Sequence, residues 1–305
     1  MKVCPDCKKI VVPRDAILIK GKTYHKSCRI CSHCGRPIED SPALFLGNIY
    51  HSFCTAYAIK PCCVCGNIPN RMRMNYWHEV ACENHADTCC YCGHFLSPST
   101  HSGHSFARDY LDDGEIKSKE CHICGNCEST IIKTDQDVER CRKEVLDIFR
   151  SHKITGIPYD VPIILSDMRD ESKKMGMMLA GLHHAVISTS RSRYSFSITM
   201  DDGMPEMNFK GVLGHELLHS WLRLYAIELP KHECEGFCNL GEELILKTIG
   251  TPESKYWTKR CLEDNDDPIY GDGYRLMKKR LDKLGWEGLM HAVRWENKTK
   301  ENIEL

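Results

Sequence analysis

Long apolar runs are missing from these 305 residues. No window approaches the ~18 consecutive apolar residues that would span a bilayer, so a membrane-spanning chain is excluded. The opening Met1-Lys2-Val3-Cys4-Pro5-Asp6-Cys7 also lacks an apolar leader core and a small-residue cleavage site, which argues against secretion. Charge of one sign is missing too: 41 Lys and Arg stand against 42 Asp and Glu, a net charge of -1. That balance speaks against broad electrostatic binding to a nucleic-acid backbone. Collagen-like and wholly disordered readings are excluded as well. What the chain has instead is metal-ligating chemistry, with 20 cysteines and 16 histidines. Without a secretory signal these cysteines read as thiols in a reducing compartment, where metal ligation is their usual use. The expectation is a cytoplasmic metalloprotein.

The cysteines are unevenly spread. All but Cys234, Cys238 and Cys261 lie between Cys4 and Cys141. Apolar residues in that half come in short runs, such as Ile17-Leu18-Ile19 and Ala43-Leu44-Phe45-Leu46, too small to make a core. Metal must therefore replace apolar burial as the source of stability there. The second half reads differently. Asp135–Phe149 has helical apolar spacing, and Val161–Leu165, Ala185–Ser188 and Tyr194–Thr199 read as strands. From Phe209 the pattern is helical: Phe209–Ile227, about Glu233–Thr248, then shorter helices. Strands followed mostly by helices describe an α+β domain.

The ligands come in pairs: Cys4/Cys7, His25/Cys28, Cys31/Cys34 and His51/Cys54, with 17 and 16 residues inside the two fingers. Each pair closes a tight turn that aims two ligands at one tetrahedral ion. Cys4, Cys7, His25 and Cys28 are assigned to one zinc, and Cys31, Cys34, His51 and Cys54 to a second. Two residues separate the fingers, a spacing that closely resembles the LIM domain. His33 is read as a turn residue. A looser set follows. Cys62, Cys65, Cys82 and His85 make a third site; Cys89 and Cys92 make a fourth with either Cys124/Cys127 or Cys121/Cys124. The 28 or 31 residues after Cys92 imply an insertion around His101–Gly114, whose His101 and His104 are read as loop residues. Cys63 and Cys90 are read as bystanders. With no basic helix or stacking platform in view, protein contact is the expected use of these modules, and nucleic acid is not.

The second half carries Gly214-His215-Glu216-Leu217-Leu218-His219-Ser220-Trp221. On a helix His215 and His219 share a face and can bind one ion, with Glu216 placed to take a proton from water. The apolar flanks Phe209, Val212, Leu213, Trp221 and Leu222 argue for a buried helix, where such groups are costly without a metal. A third ligand is needed. Downstream, Glu235-Gly236-Phe237 resembles the third-ligand segment of the glutamate zincins, which favours Glu235 over Glu233 and Cys234. Glu242, seven residues on, is either a partner to a metal-bound histidine or a solvated charge. Tyr274 and Arg275, after the glycine-rich bend Tyr270-Gly271-Asp272-Gly273, are candidate oxyanion donors.

Together these motifs resemble the DA-one family of LIM-domain zinc metallopeptidases. His215–Leu224 is similar to the family's His-Glu-Met-Met-His-Ala-Trp-Leu-Arg-Leu segment. Glu235–Cys238 is similar to its Glu-Gly-Ile-Cys, Tyr270–Arg275 to its Tyr-Gly-Asp-Gly-Phe-Arg, and Cys89–Cys92 to its Cys-Cys-Ser-Cys. The resemblance implies a LIM domain over 1–59, a second LIM-like module over 60–134 and a zincin-like (gluzincin) peptidase domain over 135–305. It implies a zinc endopeptidase with one catalytic and about four structural zinc ions, acting on protein substrates. Ubiquitin or ubiquitinated proteins are implied as partners, although the acidic ubiquitin-interacting helices of plant members have no counterpart here. The competing expectation is a LIM scaffold whose peptidase-like domain binds zinc with little turnover.

Overall fold

A computed structural model describes residues 2–301, apart from 6, 20, 39–41, 46–47, 56–59, 69–70, 98–100, 113–114, 169–179 and 189–192. For 101–121, 185–195 and 296–301 it describes backbone only. The chain divides into two compact units, Met1–Met74 with His78–Ala86, and Asn75–Trp77 with Asp87–Leu305.

The first unit is built from three two-stranded antiparallel hairpins: β1 (Ala16–Ile19) with β2 (Lys22–His25), β3 (Ala43–Phe45) with β4 (Asn48–Tyr50), and β5 (Met72–Met74) with β6 (Val80–Cys82). An isolated hairpin is marginal in water, and the buried residues here are few. Val11, Ile17, Ile19, Tyr24, Ile38 and Ile49 cluster with Cys4, Cys31 and Cys54, so ligand sulfur forms part of the core itself.

One backbone device recurs four times along the chain. The residue after the second cysteine is left-handed in the turns that begin at Cys4, Cys31, Cys62 and Cys89: Lys8 (φ 60), Gly35 (φ 69), Gly66 (φ 75) and Gly93 (φ 74). Its N–H donates to the carbonyl of the first cysteine, at 2.8–2.9 Å in all four. Glycine occupies this position three times because it alone adopts that conformation without cost.

The second unit carries β7 (His101–Asp112) and β8 (Glu115–Cys124), a long hairpin where the sequence implies an insertion, then the short α1 (Gly125–Glu128) and α2 (Asp135–Ser151). Thr134 caps α2 by accepting from the Asp137 N–H at 3.1 Å. A three-stranded sheet follows, made of β9 (Ile163–Ser166), β10 (Gly181–Ser188) and β11 (Arg193–Asp201). Its order is β10-β11-β9, with β10 antiparallel and β9 parallel to the central β11. The remainder is helical: α3 (Glu206–Leu224), α4 (Lys231–Ile249), α5 (Pro252–Thr258) and α6 (Gly271–Glu301). Gly285 (φ 65, ψ 173) breaks α6 into two rods, in keeping with the shorter helices expected there.

A single core runs through this unit. It joins Phe149, Ile198, Leu213, Trp221, Phe237 and Leu289 to Cys89, Tyr91, Cys92, Ile123 and Cys124. The expected module 60–134 is therefore not one compact body. Its first ligand set lies in the first unit, whereas its second shares the apolar core of the helical unit. Within that second unit the Trp77 ring stacks on His94 at 4.4 Å and its Nε1 donates to the Cys92 carbonyl at 2.8 Å.

Candidate metal centre

The sulfur and nitrogen atoms of the Cys/His pairs converge in four groups: Cys4/Cys7/His25/Cys28, Cys31/Cys34/His51/Cys54, Cys62/Cys65/Cys82/His85 and Cys89/Cys92/Cys124/Cys127. Of the alternatives for the fourth set, Cys124 and Cys127 are brought together with Cys89 and Cys92. The Cys121 side chain lies outside the described residues, as do those of His101 and His104. Cys63 and Cys90 join no group among the described residues.

The spacings fit zinc. Two thiolates on a tetrahedral ion stand about 3.8 Å apart, and a thiolate and an imidazole about 3.6 Å. Cys92 and Cys124 Sγ are 3.7 Å apart, Cys65 and Cys82 Sγ 3.8 Å, and Cys62 Sγ lies 3.6 Å from His85 Nδ1. His25 and His51 each donate Nε2–H to a backbone carbonyl, of Ile10 and Pro37, at 3.0 Å. That fixes the tautomer and leaves Nδ1 free to ligate. The first cysteine of a turn is also prepared as thiolate. Burial opposes the charge at Cys31, but the N–H groups of Cys34, His51 and His33 pull its thiol down to about 5. At Cys62 those of Cys65, Cys82 and Val64 do the same, to about 6. His33 thus serves the turn through its backbone.

A fifth cluster is assembled by three helices and one strand. Helices α3 and α4 cross at Gly214 and Gly241, where a Cβ on Gly241 would sit 2.9 Å from the Gly214 carbonyl oxygen. The start of α4 meets that of α6 still more closely, since a Cβ on Gly236 would lie 2.1 Å from the Gly273 oxygen. Glycine at these positions lets backbones touch. The close crossing brings α4 side chains onto the His215 face of α3.

The result is compact. His215 Nε2 and His219 Nε2 are 3.1 Å apart, and Glu235 Oε2 stands 3.3 and 3.4 Å from them. Ligands ~2.0–2.1 Å from one tetrahedral zinc would be about 3.3–3.4 Å apart, so the three atoms fit a single ion. Burial opposes ionisation of Glu235, yet the two histidines hold its carboxyl well below the usual range. Cys238 Sγ also lies within 4.8 Å of the ligand nitrogens of both histidines. Burial and the neighbouring Cys234 thiol keep it well above its usual pKa and so neutral, which makes Glu235 the better donor. Glu233 is instead paired with Arg280 at 3.4 Å.

Asn239 supplies what sequence reasoning missed. Its Nδ2 donates to the Tyr270 carbonyl at 3.1 Å, which turns Oδ1 toward His215 Nδ1 at 2.9 Å. His215 must then carry its proton on Nδ1, leaving Nε2 for a metal. His219 Nδ1 faces Cys234 Sγ at 3.7 Å. Glu242, an expected partner of a ligand histidine, is engaged elsewhere: it is buried and accepts from Trp257 Nε1 at 3.0 Å.

Glu216 sits on the same helix, 5% exposed. Burial raises its pKa above the ordinary carboxylate range, while His215 and His219 pull the other way. Gly181, the first residue of β10, lies against it, so that a Cβ there would meet Glu216 Oε1 at 2.8 Å. His183, two residues on, has its ring 6.3 Å from that of His219. The other expected residues fall differently. Tyr274 is buried with its hydroxyl donating to Glu243 at 2.9 Å, and Arg275 donates to the carbonyls of Glu263 and Asn265. Neither is brought to the cluster, because one helical turn separates Tyr274 from the start of α6. Tyr270 stands immediately before that start: burial and the charges of Glu235 and Glu216 push its phenol up.

Residues 4–60 match the family described as LIM domain, so the chain carries a LIM domain there, together with several zinc sites. Its similarity to known proteins extends well past that domain. It is 22% identical to Protein DA1 of Arabidopsis thaliana across 93% of this chain. Against LIM domain-containing protein HDR3 of Oryza sativa subsp. japonica the identity is 24% across 83% of this chain, and against Protein DA1-related 1 of Arabidopsis thaliana it is 24% across 96%. The chain spans 65%, 58% and 65% of these three relatives' own lengths.

Proposed function

We propose that the protein is a zinc-dependent endopeptidase of the cytoplasm that cleaves protein substrates, its LIM unit serving protein recognition or control of the active site. The carrying observation is the convergence of His215 Nε2, His219 Nε2 and Glu235 Oε2 to 3.1–3.4 Å, beside a buried Glu216 that is no ligand. Zinc held by these three residues would supply Lewis-acid activation of a peptide carbonyl and of the attacking water. Glu216 takes the water proton and passes it to the departing amine. A carboxylate can serve both halves of that task best when its pKa lies nearer neutrality, and burial moves Glu216 in that direction. Asn239 keeps His215 in its ligating tautomer, and Gly181 leaves room for the Glu216 carboxylate.

Incubating a cell lysate with the wild-type protein and with Glu216→Gln, then sequencing new protein N-termini, tests this reading. Termini made only by the wild type are expected. No new termini, from protein with its full zinc content, would overturn the peptidase reading in favour of a zinc-binding scaffold.

A further inference from the structure

His183 stands on β10, an edge strand of the three-stranded sheet among the described residues. Side chains two apart on a strand share a face, and the face is fixed by Gly181, whose missing Cβ would touch Glu216 and Val212 of α3. His183 therefore points to the same side, one step further along α3. Its ring is 6.3 Å from that of His219, and Phe196 of the neighbouring strand flanks it at 5.5 Å. Its Nε2 is buried and has no hydrogen-bond partner among the described residues. A buried, unpartnered ring nitrogen costs free energy comparable to a lost hydrogen bond. The histidine is thus held beside the Glu216/His219 face with one polar atom unused. A phenylalanine would fill the same space without that cost.

We propose that His183 is a catalytic residue that donates Nε2–H to the carbonyl oxygen of the peptide bond under attack. The inference rests on the peptidase reading and deepens it. As the carbonyl carbon becomes tetrahedral its oxygen gains negative charge, and a donor already fixed by packing stabilises that charge without reorganisation. No proton is transferred and no covalent bond to His183 forms. The tautomer required is the one protonated on Nε2. This assigns to β10 the donor that sequence reasoning sought at Tyr274 and Arg275.

The test uses the full chain with its zinc, as wild type, His183→Phe and His183→Gln. Losing one such donor lowers kcat about 100-fold or more. His183→Phe is expected to show that loss in kcat, with KM, zinc content and Tm near wild type. His183→Gln, which keeps an N–H donor, should recover part of it. A second readout needs no turnover. Affinity for a short phosphinic peptide, whose tetrahedral anion mimics the charged carbonyl, should fall by a similar factor in His183→Phe. Affinity for the amide peptide of the same sequence, measured on a Glu216→Gln background, should not. Wild-type kcat and phosphinic affinity in His183→Phe would overturn the proposal, and so would loss of zinc or of the fold in both variants. A wild type that cleaves nothing yet binds the phosphinic peptide in a His183-dependent way would overturn the peptidase reading and sustain the donor role.

Discussion

Asn239 does its work through two hydrogen bonds, one to the Tyr270 carbonyl and one to His215 Nδ1. Removing such an outer partner weakens metal binding by about 10–100-fold. Asn239→Ala should therefore weaken the fifth zinc by that factor, read by competition with a chromogenic chelator, and leave the four cysteine-bound ions in place. A second residue gives a pH signature. Hydrogen bonds from Arg140 hold Glu206 down at about 2, against an ordinary value of 4.5. A carboxylate depressed on folding stabilises the native state above its unfolded pKa and stops doing so as pH falls through its folded one. The Tm difference between wild type and Glu206→Gln should thus be largest near neutrality and shrink from about pH 4.5 toward pH 2. A difference that grew on acidification would contradict the assignment. His215, Glu216 and His219 were legible in the sequence because their relation is local, four residues on one helix. Asn239 and His183 were not, since each reaches the cluster from another element whose register only packing decides.

Elements meet here backbone to backbone. At Gly236 the nearest atom to an added Cβ is a main-chain oxygen at 2.1 Å, and no side-chain rotation relieves that. Gly236→Ala must push α4 away from α6, an overpacking that costs about 1–3 kcal/mol. The same movement carries Glu235 off the two histidines. A lowered Tm together with loss of the fifth zinc is expected, whereas Gly203→Ala, strained only by its left-handed backbone (φ 78) with nothing within 4 Å, should lower Tm but spare the metal. Helix extents were largely readable from apolar period: Phe209–Ile227 is Glu206–Leu224 in the structure, and Asp135–Phe149 is Asp135–Ser151. The β7–β8 hairpin was readable only as a surplus of residues between ligands, because its alternation is polar and marks no core face. Tyr274 was misplaced for a related reason. The glycine-rich bend was visible, but which tyrosine stands at its mouth depends on where α6 begins.

For the whole molecule, the division of the cysteine-rich half matters most. The fourth ligand set shares its core with the helices, and Tyr91 beside it stacks on Trp257 at 6.0 Å. A fragment 135–305 would expose that core and is expected to aggregate or melt at low temperature. A fragment 87–305 keeps the second unit's core and should unfold cooperatively in a calorimeter with about two zinc ions bound, four cysteine ligands holding one and the His215 cluster the other. Similar melting of both fragments would show that the fourth set is dispensable. No helix among the described residues is long and apolar enough to cross a membrane.

Burial of the ligands also sets a clock. Cys34 and Cys65 are exposed, whereas Cys89, Cys92 and Cys124 are buried. An incoming thiol or chelator can attack a zinc only through sulfur it can reach, so ions held by exposed cysteines are replaced one ligand at a time. In the fourth set only Cys127 is partly exposed, so the other three bonds to its ion break only when the surrounding core opens, an event governed by global unfolding. Protein loaded with one zinc isotope and transferred to another should therefore exchange the ions of the second and third sets first and that of the fourth set last.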